Sequence, residues 1–229
     1  MIRDDFSKLL KILDIKFKNP SFLEQAFIHR SYLNEVNVNM PSNERLEFLG
    51  DSILSLIISL FLFEKRIKDT EGELTNLRAY IVKTKSLAKA SKNLELGQYL
   101  KLSKGEEVSG GRENPQLLAN TYEALLGAVF LDQGMAAAQK MIEKTLLPSF
   151  QKEINIGPPK DAKSNLQEMA QEKFRESPYY KTLESKGPDH QRKFLIAVYI
   201  KGKEMGRGVG LSKQEAEEKA AEEALEKLS

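Results

Sequence analysis

Three carboxylates, Glu44, Glu47 and Asp51, fall at offsets of three and four in the stretch PSNERLEFLGD, Pro41 to Asp51. On an α-helix those offsets stack them along one face. The other side carries Leu46, Leu49 and Ile53, and the chain runs on through Leu54, Leu56, Ile57, Ile58, Leu60, Phe61, Leu62 and Phe63. A helix apolar almost all round is expected in a core. Carboxylates on such a helix must be paired, protonated or metal-bound. A second polar pair, Asn120 and Glu123, sits three apart inside the apolar run LLANTYEALLGAVFLD. Two such helices packed together would bring Glu47, Asp51, Asn120 and Glu123 to one point. Four oxygen donors suit Mg²⁺, which keeps several waters or takes phosphate oxygens besides. The competing reading of the acids is salt bridging with Arg45 or Arg78.

Composition narrows the metal. The chain has no cysteine and only His29 and His190, which excludes thiolate sites and argues against a histidine zinc site. Any cation is then a hard one, Mg²⁺ or Mn²⁺. Of the 229 residues, 41% are hydrophobic and 30% charged, the balance of a solvated globular chain. A net charge of +2 argues neither for nor against nucleic acid, so charge distribution must decide. The start, MIRDDFSKLLK, is no signal peptide, and the longest apolar run, Ile53 to Phe63, is too short to span a bilayer. The expectation is a cytoplasmic protein with no membrane partner.

Several helices must position these residues. Asp5 to Leu13 reads as one, and Ser21 to Glu35 as another, with Ser21 and Glu24 in capping-box spacing. His29 lies on that second helix and reads as a structural hydrogen-bonder. Pro41-Ser42-Asn43 starts the acidic helix, which runs to about Glu64. Gly50, a poor helix residue, implies close approach of another helix or of a ligand. Another helix follows from Glu73, its Arg78, Lys83, Lys85 and Lys89 forming a solvated face. Gly97 to Asn114 is a glycine-rich connector that lacks the pattern of a phosphate-binding loop, and no organic cofactor is expected. Pro115 opens the second polar helix, and Met135 to Leu147 completes an all-α unit over residues 1–150. Gln151 to Lys160 reads as a linker.

From Asp161 the pattern changes class. Ala162 to Phe174 is an amphipathic helix, Phe194 to Ile200 alternates as a strand, and Gly202-Lys203 turns into Glu204–Val209. Ser212 caps a last helix with Ala216, Ala220 and Ala224 on one face. The order α-β-β-β-α describes a small α+β domain over 161–229, so the fold class is multidomain.

NERLEFLGDS at Asn43–Ser52 closely resembles the signature of the ribonuclease III family. HRSY at His29–Tyr32, KGEEVSGGR at Lys104–Arg112 and LLANTYEALLGAVFLD at Leu117–Asp132 fit the same family in order. The tail resembles a double-stranded-RNA-binding domain. This resemblance, over essentially the whole chain, implies an all-α endonuclease domain followed by that RNA-binding domain. It implies a homodimeric, Mg²⁺-dependent endoribonuclease that cuts double-stranded RNA, leaves 5′-phosphates and short 3′ overhangs, and matures ribosomal, messenger and other structured RNA. By motif, Asp51 and Glu123 are its catalytic acids. Glu47, Asp51, Asn120 and Glu123 are its metal residues, Glu44 lies toward the RNA, and Phe48 lies at the dimer interface. Ser164, Gln167, Glu168 and Gln171 would meet one RNA minor groove and His190 the next, with Lys213 and Lys219 at phosphates. Two departures stand out. Asn120 occupies a position commonly Asp, which makes a non-cleaving RNA-binding protein the alternative reading, and Gln214 stands where a second base is common.

Overall fold

The computed structural model describes residues 5–36, 40–158, 162–188 and 192–228. The chain divides into two units, Met1–Pro158 and Pro159–Ser229. In the first, α1 (Ser7–Leu13) buries Leu9 and Leu13. α2 (Pro20–Ala26) opens on a proline, whose missing N–H costs nothing in a first turn. Its cap is Asn19, accepting from the Ser21 N–H, and not Ser21 as the sequence suggested. The expected continuation to Glu35 also fails. Ile28 leaves the helix to bridge Lys101, with the Lys101 N–H donating to the Phe27 carbonyl at 2.8 Å. Helix resumes as α3 (Arg30–Leu33), capped by the His29 ring, which accepts from the Ser31 N–H. His29 is therefore structural in this sense, as its lone placement implied.

α4 (Glu44–Lys65) carries the acidic stripe. Asn43, just before it, is buried and anchors the entrance, its amide donating to the Ala26 carbonyl and its N–H to that of Ile28. The helix is long and apolar enough to cross a membrane by length and composition alone. Its Leu46, Gly50, Ile53, Leu54, Ile57, Ile58 and Leu62 face the protein core. It is not buried all round, however: Phe48 is 79% exposed and Phe63 71%, with Leu56 and Leu60 on the surface between them.

The single helix expected from Glu73 is two. α5 (Glu71–Val82) starts earlier, at a Thr70–Glu73 capping box, and α6 (Thr84–Asn93) follows a break at Lys83, whose backbone is extended. The exposed Lys83, Lys85 and Lys89 fit the solvated face read from sequence. α7 (Lys104–Val108) lies in the glycine-rich connector. α8 (Pro115–Gln133) is capped by Asn114 and ends at Gly134, and α9 (Met135–Thr145) follows. α10 (Gln151–Ile156) falls inside the expected linker, with Ile154 buried and the Arg66 guanidinium donating to the Ile154 carbonyl at 3.1 Å.

Among these helices the α4–α8 crossing is the closest in kind, because glycine meets glycine. A Cβ on Gly50 would lie 1.8 Å from the Glu123 carbonyl oxygen, and one on Gly127 would lie 2.3 Å from that of Leu46. Of the two uses open to Gly50, the structure selects approach by another helix.

The second unit holds α11 (Ala162–Phe174), β1 (Tyr179–Lys186), β2 (Lys193–Ile200), β3 (Lys203–Gly210) and α12 (Lys213–Leu228). The sheet order is β1-β2-β3, antiparallel throughout. Leu166, Ala170, Val198, Ile200 and the alanines of α12 form its core. Gly206, Gly208 and Gly210 alternate along β3 and face α12. A Cβ on Gly208 would stand 2.0 Å from the Ala216 carbonyl oxygen. The alanine face read from the sequence is thus one half of a backbone-to-backbone contact, with glycines as the other half. Ser212 caps α12 as expected, accepting from the Glu215 N–H at 3.1 Å.

Candidate active site

The helix crossing decides where the acids meet. Because Gly50 and Gly127 let the two backbones touch, the residues one turn away on each helix share one cavity of about 610 Å³. It is lined by Glu44, Glu47, Phe48 and Asp51 from α4, by Gln116, Asn120 and Glu123 from α8, and by His29 and Arg30. The four residues expected to converge all line this one cavity. They are not deeply buried as the apolar helix implied: Glu47, Asn120 and Glu123 are half-buried, while Glu44 and Asp51 are exposed at the mouth.

The cavity is electrostatically unsettled. Burial pushes the Glu123 carboxyl up to about 7, helped by the charges of Asp51 and Glu47. Burial also raises Glu47, as do the charges of Glu44 and Asp51, against a hydrogen bond from the Asn120 side chain. The salt-bridge reading does not account for these acids. Arg78 donates to Ser59 Oγ at 2.8 Å instead. Arg30 reaches only Glu44, 3.6 Å away at the rim. Among the described residues no ion pair joins Glu47, Asp51 or Glu123. Glu47, Asp51 and Glu123 are hard oxygen donors of the kind a divalent metal takes, and they line one cavity, but among the described residues no three such groups form a metal-holding cluster.

Asn120 has a partner on its own helix. Its Oδ1 accepts from Gln116 Nε2 at 2.7 Å, which ties one lone pair of that oxygen one turn back along α8. Gln116 escaped the sequence reading, although its position four residues before Asn120 was a usable signal. Glu44 accepts from Ser42 Oγ at 2.9 Å.

The wall of the cavity is tied by the other motifs. Ser31 Oγ accepts from the Ser103 N–H at 3.0 Å, joining HRSY to the connector. Arg112 donates through Nη1 to the carbonyls of Gly97 and Leu100, each at 2.9 Å, and through Nε to Glu107 at 2.7 Å.

In the second unit, Ser164, Gln167, Glu168 and Gln171 are exposed on one face of α11 and line a groove of about 620 Å³ with Glu172 and Arg175. Lys213 is exposed at the start of α12. Lys219 is engaged by Glu215 at 2.8 Å. Glu215 also accepts from the Leu211 N–H at 2.8 Å, and Glu217 pairs with Lys163 at 2.5 Å. His190 lies outside the described residues.

Residues 19–150 match the family described as ribonuclease-III-like, and residues 162–228 match the double-stranded RNA binding motif. Ribonuclease 3 of Geobacillus kaustophilus is 46% identical over 227 residues, 99% of this chain and 92% of that protein. Ribonuclease 3 of Syntrophotalea carbinolica is 42% identical, covering 94% of each chain. The nuclease domain of ribonuclease III from Campylobacter jejuni superposes with a TM-score of 0.60 at 38% identity, over 64% of this chain and 99% of that domain.

An acid-lined cavity between crossed helices, followed by a domain for duplex RNA, defines a nuclease that carries its own substrate-binding module. The chain belongs to the ribonuclease III family. It is a double-strand-specific endoribonuclease of a divalent-metal-dependent family, and the non-cleaving alternative is not favoured.

Proposed function

We propose that this endoribonuclease acts as a homodimer and uses Mg²⁺, with Mn²⁺ as a substitute, at the acids of the α4–α8 cavity. The observation that carries this reading is the glycine-on-glycine crossing, which sets Glu47 and Asp51 opposite Glu123 in one open cavity. Glu47, Asp51 and Glu123 would hold the cation, and Asp51 and Glu123 are the catalytic acids. When bound, a divalent cation supplies a Lewis acid for the phosphodiester and lowers the pKa of the attacking water. Asp51, exposed at the cavity mouth, would be placed to accept a proton from water entering from solvent, while the half-buried Glu123 would hold the cation away from solvent. Hydrolysis leaves 5′-phosphates and short 3′ overhangs on structured RNA such as ribosomal precursors. The cytoplasm is the expected place of action.

The RNA-binding unit supplies substrate choice. A-form RNA displays 2′-hydroxyls in a shallow minor groove, which small polar groups can read. Ser164, Gln167, Glu168 and Gln171 form such a face. The exposed Lys213 would meet phosphate, Lys219 would do so on leaving Glu215, and Glu44 would lie near the RNA at the cavity rim. One site cuts one strand, so cutting a duplex calls for a second copy. The exposed apolar stripe from Phe48 to Phe63 supports that, as does the Campylobacter jejuni nuclease domain, described as having a region involved in dimer formation.

The test is incubation with a long RNA duplex over a range of Mg²⁺ and Mn²⁺. Short 5′-phosphorylated fragments are expected from the unaltered chain, and binding without fragments from Glu123→Gln. Cleavage by Glu123→Gln would overturn the placement of the acids.

A further inference from the structure

Gln116 and Asn120 stand one helical turn apart on α8, and both line the acid cavity. Gln116 Nε2 donates to Asn120 Oδ1 at 2.7 Å. We propose that Gln116 is a positioning residue of the acid site: it turns Asn120 so that the amide nitrogen is presented to Glu47, making Asn120 a clamp on that carboxylate and not an oxygen ligand.

An asparagine amide has one oxygen that accepts and one NH₂ that donates. With the oxygen turned to Gln116, the NH₂ remains for the acids of the same cavity, among which Glu47 is the one whose carboxyl the Asn120 side chain draws down against the effect of burial. The reverse orientation would set a carbonyl oxygen against a carboxylate, two acceptors face to face. It would also turn the NH₂ toward the Gln116 donor. Both neighbours therefore select the same rotamer. A bond to an ionised carboxylate is among the stronger hydrogen bonds, so the clamp holds Glu47 in one place as a cation is received. Aspartate at this position has no donor and could not do this. The exchange of Asp for Asn thus changes the residue's role as well as its charge, and Gln116 enforces the new role.

This inference rests on the acids holding a cation, and its test separates the two. The full chain, freed of metal, is titrated with Mn²⁺ alone by calorimetry. Gln116→Leu removes the donor at similar volume and without a change of charge. Its Mn²⁺ affinity is expected to fall about three- to tenfold, the scale of one lost hydrogen bond. The half-saturating Mg²⁺ concentration for cleavage should rise by a similar factor while kcat moves less. Thermal stability of the metal-free protein and binding of duplex RNA without metal should stay put, since Gln116 is exposed. In an Asn120→Ala background, Gln116→Leu should have no further effect, the coupling expected of a residue that acts through another. Unchanged Mn²⁺ affinity in Gln116→Leu, or an equal loss in the Asn120→Ala background, overturns the inference alone. Failure of the unaltered chain to bind Mn²⁺ overturns it together with the metal site.

Discussion

Gly50 approaches the backbone of Glu123 so closely that a methyl group would stand 1.8 Å from its carbonyl oxygen. A residue with no side chain thus sits against the backbone of the most perturbed acid in the cavity. Gly50→Ala should push α4 from α8, with a cost of about 3 kcal/mol or more for overpacking against backbone. A fall in Tm with loss of cleavage is expected. Wild-type Tm and rate would show that the crossing does not set the site.

Glu123 gives the metal-free protein a distinctive pH dependence. Its carboxyl is raised to about 7 in the fold against an ordinary 4.5. The folded state therefore favours the protonated form, and the associated stability is full below about 4.5 and lost as pH climbs through about 7. Calorimetric Tm without metal should decline over that window, and Glu123→Gln should flatten the decline. Mn²⁺ should restore stability most at the alkaline end, because the cation takes the ionised carboxylate.

Phe48 and Phe63 leave most of their surface in water on α4. A patch of this kind marks an interaction face. Sedimentation at micromolar concentration should give a dimer, and Phe48→Glu should shift it toward monomer and depress cleavage while leaving the nuclease fold intact by circular dichroism. A wild-type monomer would remove the assignment of this face.

In the second unit the sensitive positions are glycines. Gly208→Ala sets a methyl against the backbone of Ala216, which cannot retreat without leaving the sheet. Loss of duplex binding is expected in a filter or mobility assay, with Mn²⁺ binding by calorimetry retained, since the acids are in the other unit.

Much of this is legible in the chain. The offsets among Glu44, Glu47 and Asp51, and between Asn120 and Glu123, are helix periodicity, and periodicity is local. The bounds of α11 agree with the sequence because its apolar face is regular. What escapes is set by distant partners. The helix expected through Phe27 and Ile28 breaks because Lys101, far along the chain, supplies the bridge. The break at Lys83 has no glycine or proline to announce it. The burial of α4 is less than its composition implies, because exposed Phe48 and Phe63 look, in sequence, like core residues. The bond from Gln116 to Asn120 follows their spacing of four, but which acids of α4 the pair then meets is set by the helix crossing, which no spacing rule encodes. His190 falls outside the described residues, so its assignment rests on resemblance.

Arg112 draws the carbonyls of Gly97, Gln98 and Leu100 onto one nitrogen of its guanidinium, with Glu107 on another. Leu100 is part of the cavity wall. That wall is accordingly shaped during folding, before any substrate arrives. The entropy of ordering it is then absent from the binding step. An arginine that lines no part of the cavity therefore bears on the thermodynamics of every encounter with RNA.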